Sequence, residues 1–234
     1  MNLKTNLTTI NFKKGRPAII KYIVVHYTAN DGDTDEGNGK YFNGYYRGAS
    51  AHYFVDEDSV TQVVKDSDVA WHCNDTQKYT NGGATFKRLC NNNNSLGIEL
   101  CSDKIGSEYI LTADTQKNAQ ELIKGLMSEH NVLIDNVIRH FDVSGKICPE
   151  PFVAHPEQWV AFKSKLLNSN KDKVQLKYNF NNATMEHLNK YTYQKDLFDM
   201  MLKPIAEQHF QLDTVNYILG YRFGKNVFNK LGEK

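Results

Sequence analysis

"IIKYIVVHYTA", residues 19–29, is a run of β-branched and aromatic side chains with few polar interruptions. Continuous apolarity of this kind, rather than alternation, reads as a strand buried on both faces, inside a sheet covered by helices. His26 lies near its end. After the loop "NDGDTDEGNG" (30–39), the stretch "GKYFNGYYRG" (39–48) has only weak helical spacing. "SAHYFVDEDSVTQVV" (50–64) reads as two strands around an acidic turn at Asp56 to Ser59, a hairpin beside the first strand. A polar loop over 74–94 leads to "SLGIELC" (95–101), a short apolar strand carrying one carboxylate, Glu99.

Thr112 is a plausible N-cap for the helix "ADTQKNAQELIKGLMSEHN", where Ala119, Leu122, Ile123 and Leu126 recur at helical spacing and Asn131 can end it. "VIRHF" (137–141) then gives a last strand, and "HPEQWVAFKSKLLN" (155–168) a closing helix with Pro156 in its first turn. This order predicts an α/β domain over residues 1–168, a central mixed β-sheet flanked by helices. Residues 169–177, "SNKDKVQLK", are polar enough for a linker. Residues 178–234 show apolar side chains at three- and four-residue intervals, with Thr184 and Asp213 as N-caps and Pro204 interrupting the first run. They read as a small α-helical domain, with cell-wall binding and homo-oligomerisation as its candidate roles.

The 234 residues carry 28 basic and 27 acidic side chains, a net charge of +1, so overall charge gives no reason to expect a nucleic-acid partner. From Lys171 onward the balance is +3 and before it −2, a mild asymmetry. No apolar stretch approaches the ~20 residues needed to span a bilayer, and "MNLKTNLTTINFKKG" lacks a secretory signal's apolar core. Synthesis in the cytoplasm without a signal peptide, and no membrane insertion, are therefore expected. Four cysteines without a CxxC pair are too few for a disulfide scaffold. Cys73 and Cys90 flank a polar loop, and their pairing stays open at this level.

Catalytic zinc usually takes three protein ligands, imidazole or thiolate among them, and keeps a fourth position open. His26 and His140 fall at the ends of apolar strands, and Cys148 follows the second on a short loop. Taken singly, each is more often a packed core residue. Glu99 stands in a strand otherwise suited to burial, where a carboxylate is costly unless paired or functional. Lys146, two residues before Cys148, is either an ordinary loop lysine or an oxyanion partner.

"IVVHYTA", "SAHYFVDEDSVTQVVKDSDVAWH", "NNSLGIELC" and "RHFDVSGKICPEPF" together resemble the successive signature blocks of the zinc-dependent type 2 N-acetylmuramoyl-L-alanine amidases, which include phage endolysins and autolysins and are related to peptidoglycan recognition proteins. The likeness runs from about residue 20 to 165. It implies a zinc ion (Zn2+) held by His26, His140 and Cys148, with Glu99 as general base and acid and Lys146 beside it. It further implies an assisting His52, and a cleft lined by Tyr53, Trp71 and His72. The implied substrate is bacterial peptidoglycan, cut between N-acetylmuramic acid and L-alanine. A missing signal peptide fits an endolysin that reaches the wall after holin-type release. Two other readings stand beside it: a noncatalytic peptidoglycan receptor, and a cysteine peptidase using Cys148 with His140.

Overall fold

The computed structural model describes residues 2–166. The linker and the helical domain expected at 169–177 and 178–234 lie outside the described residues. Strands β1 (Leu3–Thr5), β2 (Tyr22–Tyr27), β3 (Tyr53–Val55), β4 (Val60–Gln62), β5 (Ser95–Leu100) and β8 (Val137–Arg139) form one sheet in the order β1-β4-β3-β5-β2-β8. A separate hairpin pairs β6 (Asp103–Ile105) with β7 (Glu108–Ile110). The main sheet is mixed: β3 and β4 are antiparallel, while β2 runs parallel to both β5 and β8. The helices are α1 (Asp35–Gly44), α2 (Ala113–His130), α3 (His140–Ser144), α4 (Glu150–Ala154) and α5 (Pro156–Ser164).

Alternation along β2 and β5 separates two cores. Ile23 and Val25 of β2, with Leu96, Ile98 and Leu100 of β5, share a cluster with Ala119, Leu122, Ile123 and Leu126 of α2 and with Phe152, Trp159 and Phe162. Val24 belongs to a different cluster, with Cys73, Cys90, Ile138 and Val143. Side chains two apart on a strand share a face, so His26 stands on the Val24 side and Glu99 on the Gly97 side of the same surface. Parallel pairing sets His26 directly opposite Glu99. That register, rather than proximity in sequence, brings the two together.

Local signals account for the long helix. The Thr112 side chain accepts a hydrogen bond from the Thr115 N–H at 3.2 Å, and Asn131 closes α2 in a left-handed conformation with φ 55°. The acidic turn between β3 and β4 is held by Asp56, whose Oδ1 accepts from the backbone N–H of Asp58 and of Ser59, both at 2.9 Å. Two boundaries differ from expectation. The segment 30–39, read as loop, already contains the start of α1, because Thr34 caps it and buried Asp35 accepts hydrogen bonds from Ser59 and Thr61 across the fold. The last strand stops at Arg139, and His140 opens α3 rather than ending β8. Asp142 ties this corner by accepting from the Arg139 backbone and guanidinium.

No helix among the described residues is long and apolar enough to cross a membrane.

Candidate metal centre and cleft

The C-terminal ends of the parallel strands β2 and β5, with the segment Lys146–Cys148, open onto one cleft, as open α/β sheets commonly arrange their sites. Its volume is ≈ 640 Å³, and Tyr27, Asp33, Asn38, Tyr41, Glu99 and Lys146 are among the residues that line it. Cys148 lines it, and His26, His140 and Cys148 are all buried, with one candidate ligand atom from each within 4.8 Å of the others. His26 Nδ1 is 3.7 Å from Cys148 Sγ, and the two imidazole centroids are 4.6 Å apart.

The charge state of this cluster suits a cation. Burial, then the neighbouring His140 and His72, hold His26 well below the ordinary histidine range, so its ring is neutral. Burial and the nearby Glu99 push the Cys148 thiol up, so that without a positive partner it stays protonated. His140 Nδ1 has no hydrogen-bond partner among the described residues, and Nε2 lies 2.7 Å from Asp75 Oδ2 without meeting hydrogen-bond geometry. The neutral His26 imidazole, the His140 ring with its orphaned nitrogen, and a thiol at this spacing form a donor set that fits zinc. A raised, buried thiol is the reverse of a reactive cysteine, which speaks against the peptidase reading.

Glu99 reaches the same cleft. Its Oε2 is sealed from solvent without a hydrogen-bond partner among the described residues, and burial pushes the carboxyl up to about 8, with Lys146 opposing and Asp33 adding to the rise. A carboxyl poised near neutrality beside a candidate metal site is suited to proton transfer. Lys146 is exposed on the cleft wall.

The structure thus brings His26, His140, Cys148, Glu99 and Lys146 together, with His72 against His26 from behind, while His52, Tyr53 and Trp71 do not line the cleft. His52 is fully buried: its Nδ1 accepts from the Gly97 N–H at 3.0 Å, and its Nε2 lies 2.8 Å from Arg16 Nη2. It is a buried residue that does not line this cleft, and an assisting role for it gains no support from its position. Tyr53 is buried on the α2 side, its hydroxyl donating to Asp66 at 2.8 Å. Its neighbour Phe54 faces the cleft instead, because successive strand residues point to opposite sides. Trp71 is half-buried with its ring 6.0 Å from Tyr46, and it does not line this cleft. His72 lies behind His26, with Nδ1 3.0 Å from His26 Nε2.

Asp75 and the cleft residues Asp33, Asn38 and Tyr41 were missed. They sit on loops and on α1, where no hydrophobic period marks them. The four cysteines are free thiols, Cys73 and Cys90 included.

Room for His72 comes from Gly97. A Cβ there would stand 2.6 Å from His72 Cγ, so the ring or the strand would have to move. Gly97→Ala is accordingly expected to cost about 1–3 kcal/mol, the usual range for forcing extra volume into a packed site. Urea denaturation of the metal-free protein measures this, and unchanged stability would show that the ring yields freely.

Comparison with known proteins extends the picture. Residues 14–151 match the Amidase_2 family, described as N-acetylmuramoyl-L-alanine amidase. The amidase CwlL of Bacillus licheniformis is 32% identical over 152 residues, covering 63% of this chain and 41% of the relative. The amidase BlyA of Bacillus subtilis (strain 168) is 32% identical over 176 residues, covering 71% and 47%. The chain thus spans less than half the length of these curated relatives. Among solved structures, the catalytic domain of XlyA superposes with TM-score 0.57 at 30% identity, covering 71% of this chain and 99% of that one. PlyL gives TM-score 0.59 at 28% identity, covering 73% and 99%. A match over residues 14–151 takes in every strand of the main sheet except β1, and the chain belongs to the N-acetylmuramoyl-L-alanine amidase family.

Proposed function

We propose that this chain is a zinc-dependent peptidoglycan hydrolase that cuts the amide between the lactyl group of N-acetylmuramic acid and L-alanine, in the manner of an endolysin. The observation that carries the reading is the pairing of a buried His26, His140 and Cys148 group with a carboxyl, Glu99, directly across the sheet register from His26. His26, His140 and Cys148 would hold zinc, which supplies Lewis acidity and makes water a better nucleophile near neutral pH. Glu99 takes a proton from the attacking water and returns it to the leaving amine of alanine. Lys146, on the wall of the same cleft, donates to the carbonyl oxygen as negative charge develops there.

Relatives and similar structures that carry the names amidase and endolysin support the reading. Release through a holin-type lesion, and a wall-binding or self-associating role for residues 178–234, belong to the same proposal. Mass spectrometry of purified peptidoglycan digested with the zinc-loaded protein tests it. The expected products are stem peptides with a free N-terminal alanine and glycan strands with unsubstituted lactyl groups. New reducing sugar ends, cuts inside the stem, or no products from folded, zinc-loaded protein would overturn it.

A further inference from the structure

Behind the two imidazoles runs one short loop, residues 72–75, that touches both. Ser95 Oγ lies 2.7 Å from the Asn91 carbonyl and 3.1 Å from His72 Nε2. A hydroxyl has a single proton, and a carbonyl can only accept, so Ser95 donates to Asn91 and accepts from His72 Nε2–H. With its proton placed on Nε2, His72 offers Nδ1 as the acceptor for His26 Nε2–H at 3.0 Å. His26 is left with its lone pair on Nδ1, the atom that faces Cys148 Sγ at 3.7 Å. Three residues along, Asp75 Oδ2 stands 2.7 Å from His140 Nε2 and favours a proton there, which frees the unpartnered Nδ1. The loop itself is pinned: Asn92 Oδ1 accepts from the backbone N–H of His72 at 3.1 Å and of Cys73 at 2.9 Å, and Asn74 Oδ1 accepts from the Asn92 N–H.

We propose that residues 72–75 form a positioning element for the metal centre, in which His72, oriented by Ser95, fixes the ligating tautomer of His26 while Asp75 does the same for His140. This rests on the metal-binding part of the proposed function. Outer partners of this kind typically contribute ~10–100-fold to metal affinity. An imidazole relay to His26 and a carboxylate to His140 make the two ligands unequal, with His140 the more strongly polarised.

Zinc affinity of the full chain, measured by competition with a chromophoric chelator, tests the proposal, with the melting temperature of the metal-free protein as control. His72→Leu is expected to weaken zinc binding by ~10–100-fold. His72→Asn, whose amide oxygen can take the place of Nδ1, is expected to restore most of it. A space-filling role alone would lower the metal-free melting temperature and leave zinc affinity equal in both variants, and that result would overturn the assignment. Should His72→Leu fail to fold, Ser95→Ala and Asp75→Ala carry the same test, and wild-type zinc affinity in both would refute it. Tight zinc binding by the wild type without peptidoglycan cleavage would sink the proposed function and leave this inference standing.

Discussion

Glu99→Gln is expected to lower amide hydrolysis by roughly 10²–10⁴-fold, the usual contribution of a positioned general base, while making the metal-free fold more stable. The sign follows from burial. The carboxyl is pushed up to about 8 in the folded chain, against 4.5 for an ordinary glutamate, so the native state holds a proton that the unfolded state releases. Below about pH 4 both states are protonated and the group is neutral in its effect. As pH rises from 4.5 to 8, the unfolded chain ionises first and folding stability falls, and above 8 the penalty is constant. A tenfold difference in proton affinity between the two states corresponds to about 1.4 kcal/mol, so the full penalty is on the order of a few kcal/mol. Glutamine cannot ionise and carries none of it. The melting temperature of chelator-treated Glu99→Gln should therefore match that of the wild type near pH 4 and exceed it by a widening margin up to pH 8. A variant no more stable than wild type at pH 8 would mean that the carboxyl is not strained, and with it the case for a poised base would fail. The cost of keeping such a group in the fold is the physical mark of a residue retained for chemistry rather than stability.

How much of this could be read beforehand depends on whether the cause is local. The apolar run 19–29 and the capped helix from Thr112 to Asn131 carry their own signals, and β2 and α2 form where those signals place them. α1 was obscured because "NDGDTDEGNG" is rich in poor helix formers, and its buried first turn is tied to Ser59 and Thr61, residues far away in sequence. His26 and Glu99 lie in the expected strands, His140 directly after β8 and Cys148 on the loop beyond α3, but their convergence depends on β2 having β5 and β8 as parallel neighbours, a fact of topology. His52 and Tyr53 show the limit most clearly. In a strand covered on both faces, composition does not say which face meets the cleft, and a step of one residue separates Tyr53 in the core from Phe54 on the cleft wall.

Cys148→Ala is expected to weaken zinc binding by more than the ~10–100-fold that follows loss of an outer partner, and to abolish hydrolysis with it. The affinity should also lose its characteristic dependence on pH. With burial holding the Cys148 thiol above its ordinary range, the wild-type protein enters zinc binding with that proton in place and must release it. His26 is neutral already and contributes no proton. Glu99, pushed up to about 8, releases a second fraction as the cation approaches, so the two sources overlap near neutrality in the wild type. The Glu99→Gln background separates them: there the logarithm of the zinc association constant should rise by about one for each pH unit between 6 and 8, from the thiol alone. Adding Cys148→Ala to that background should flatten the line as well as lower it. Calorimetry in two buffers of different ionisation enthalpy gives the same count directly, about one proton released for Glu99→Gln and close to none for the double variant. A slope of about one that survives loss of the thiol would assign the proton to another group and remove Cys148 from the ligand set. Affinity that falls while the proton count stays at one would exclude the thiol by a different route, since a ligand thiol cannot bind zinc and keep its proton.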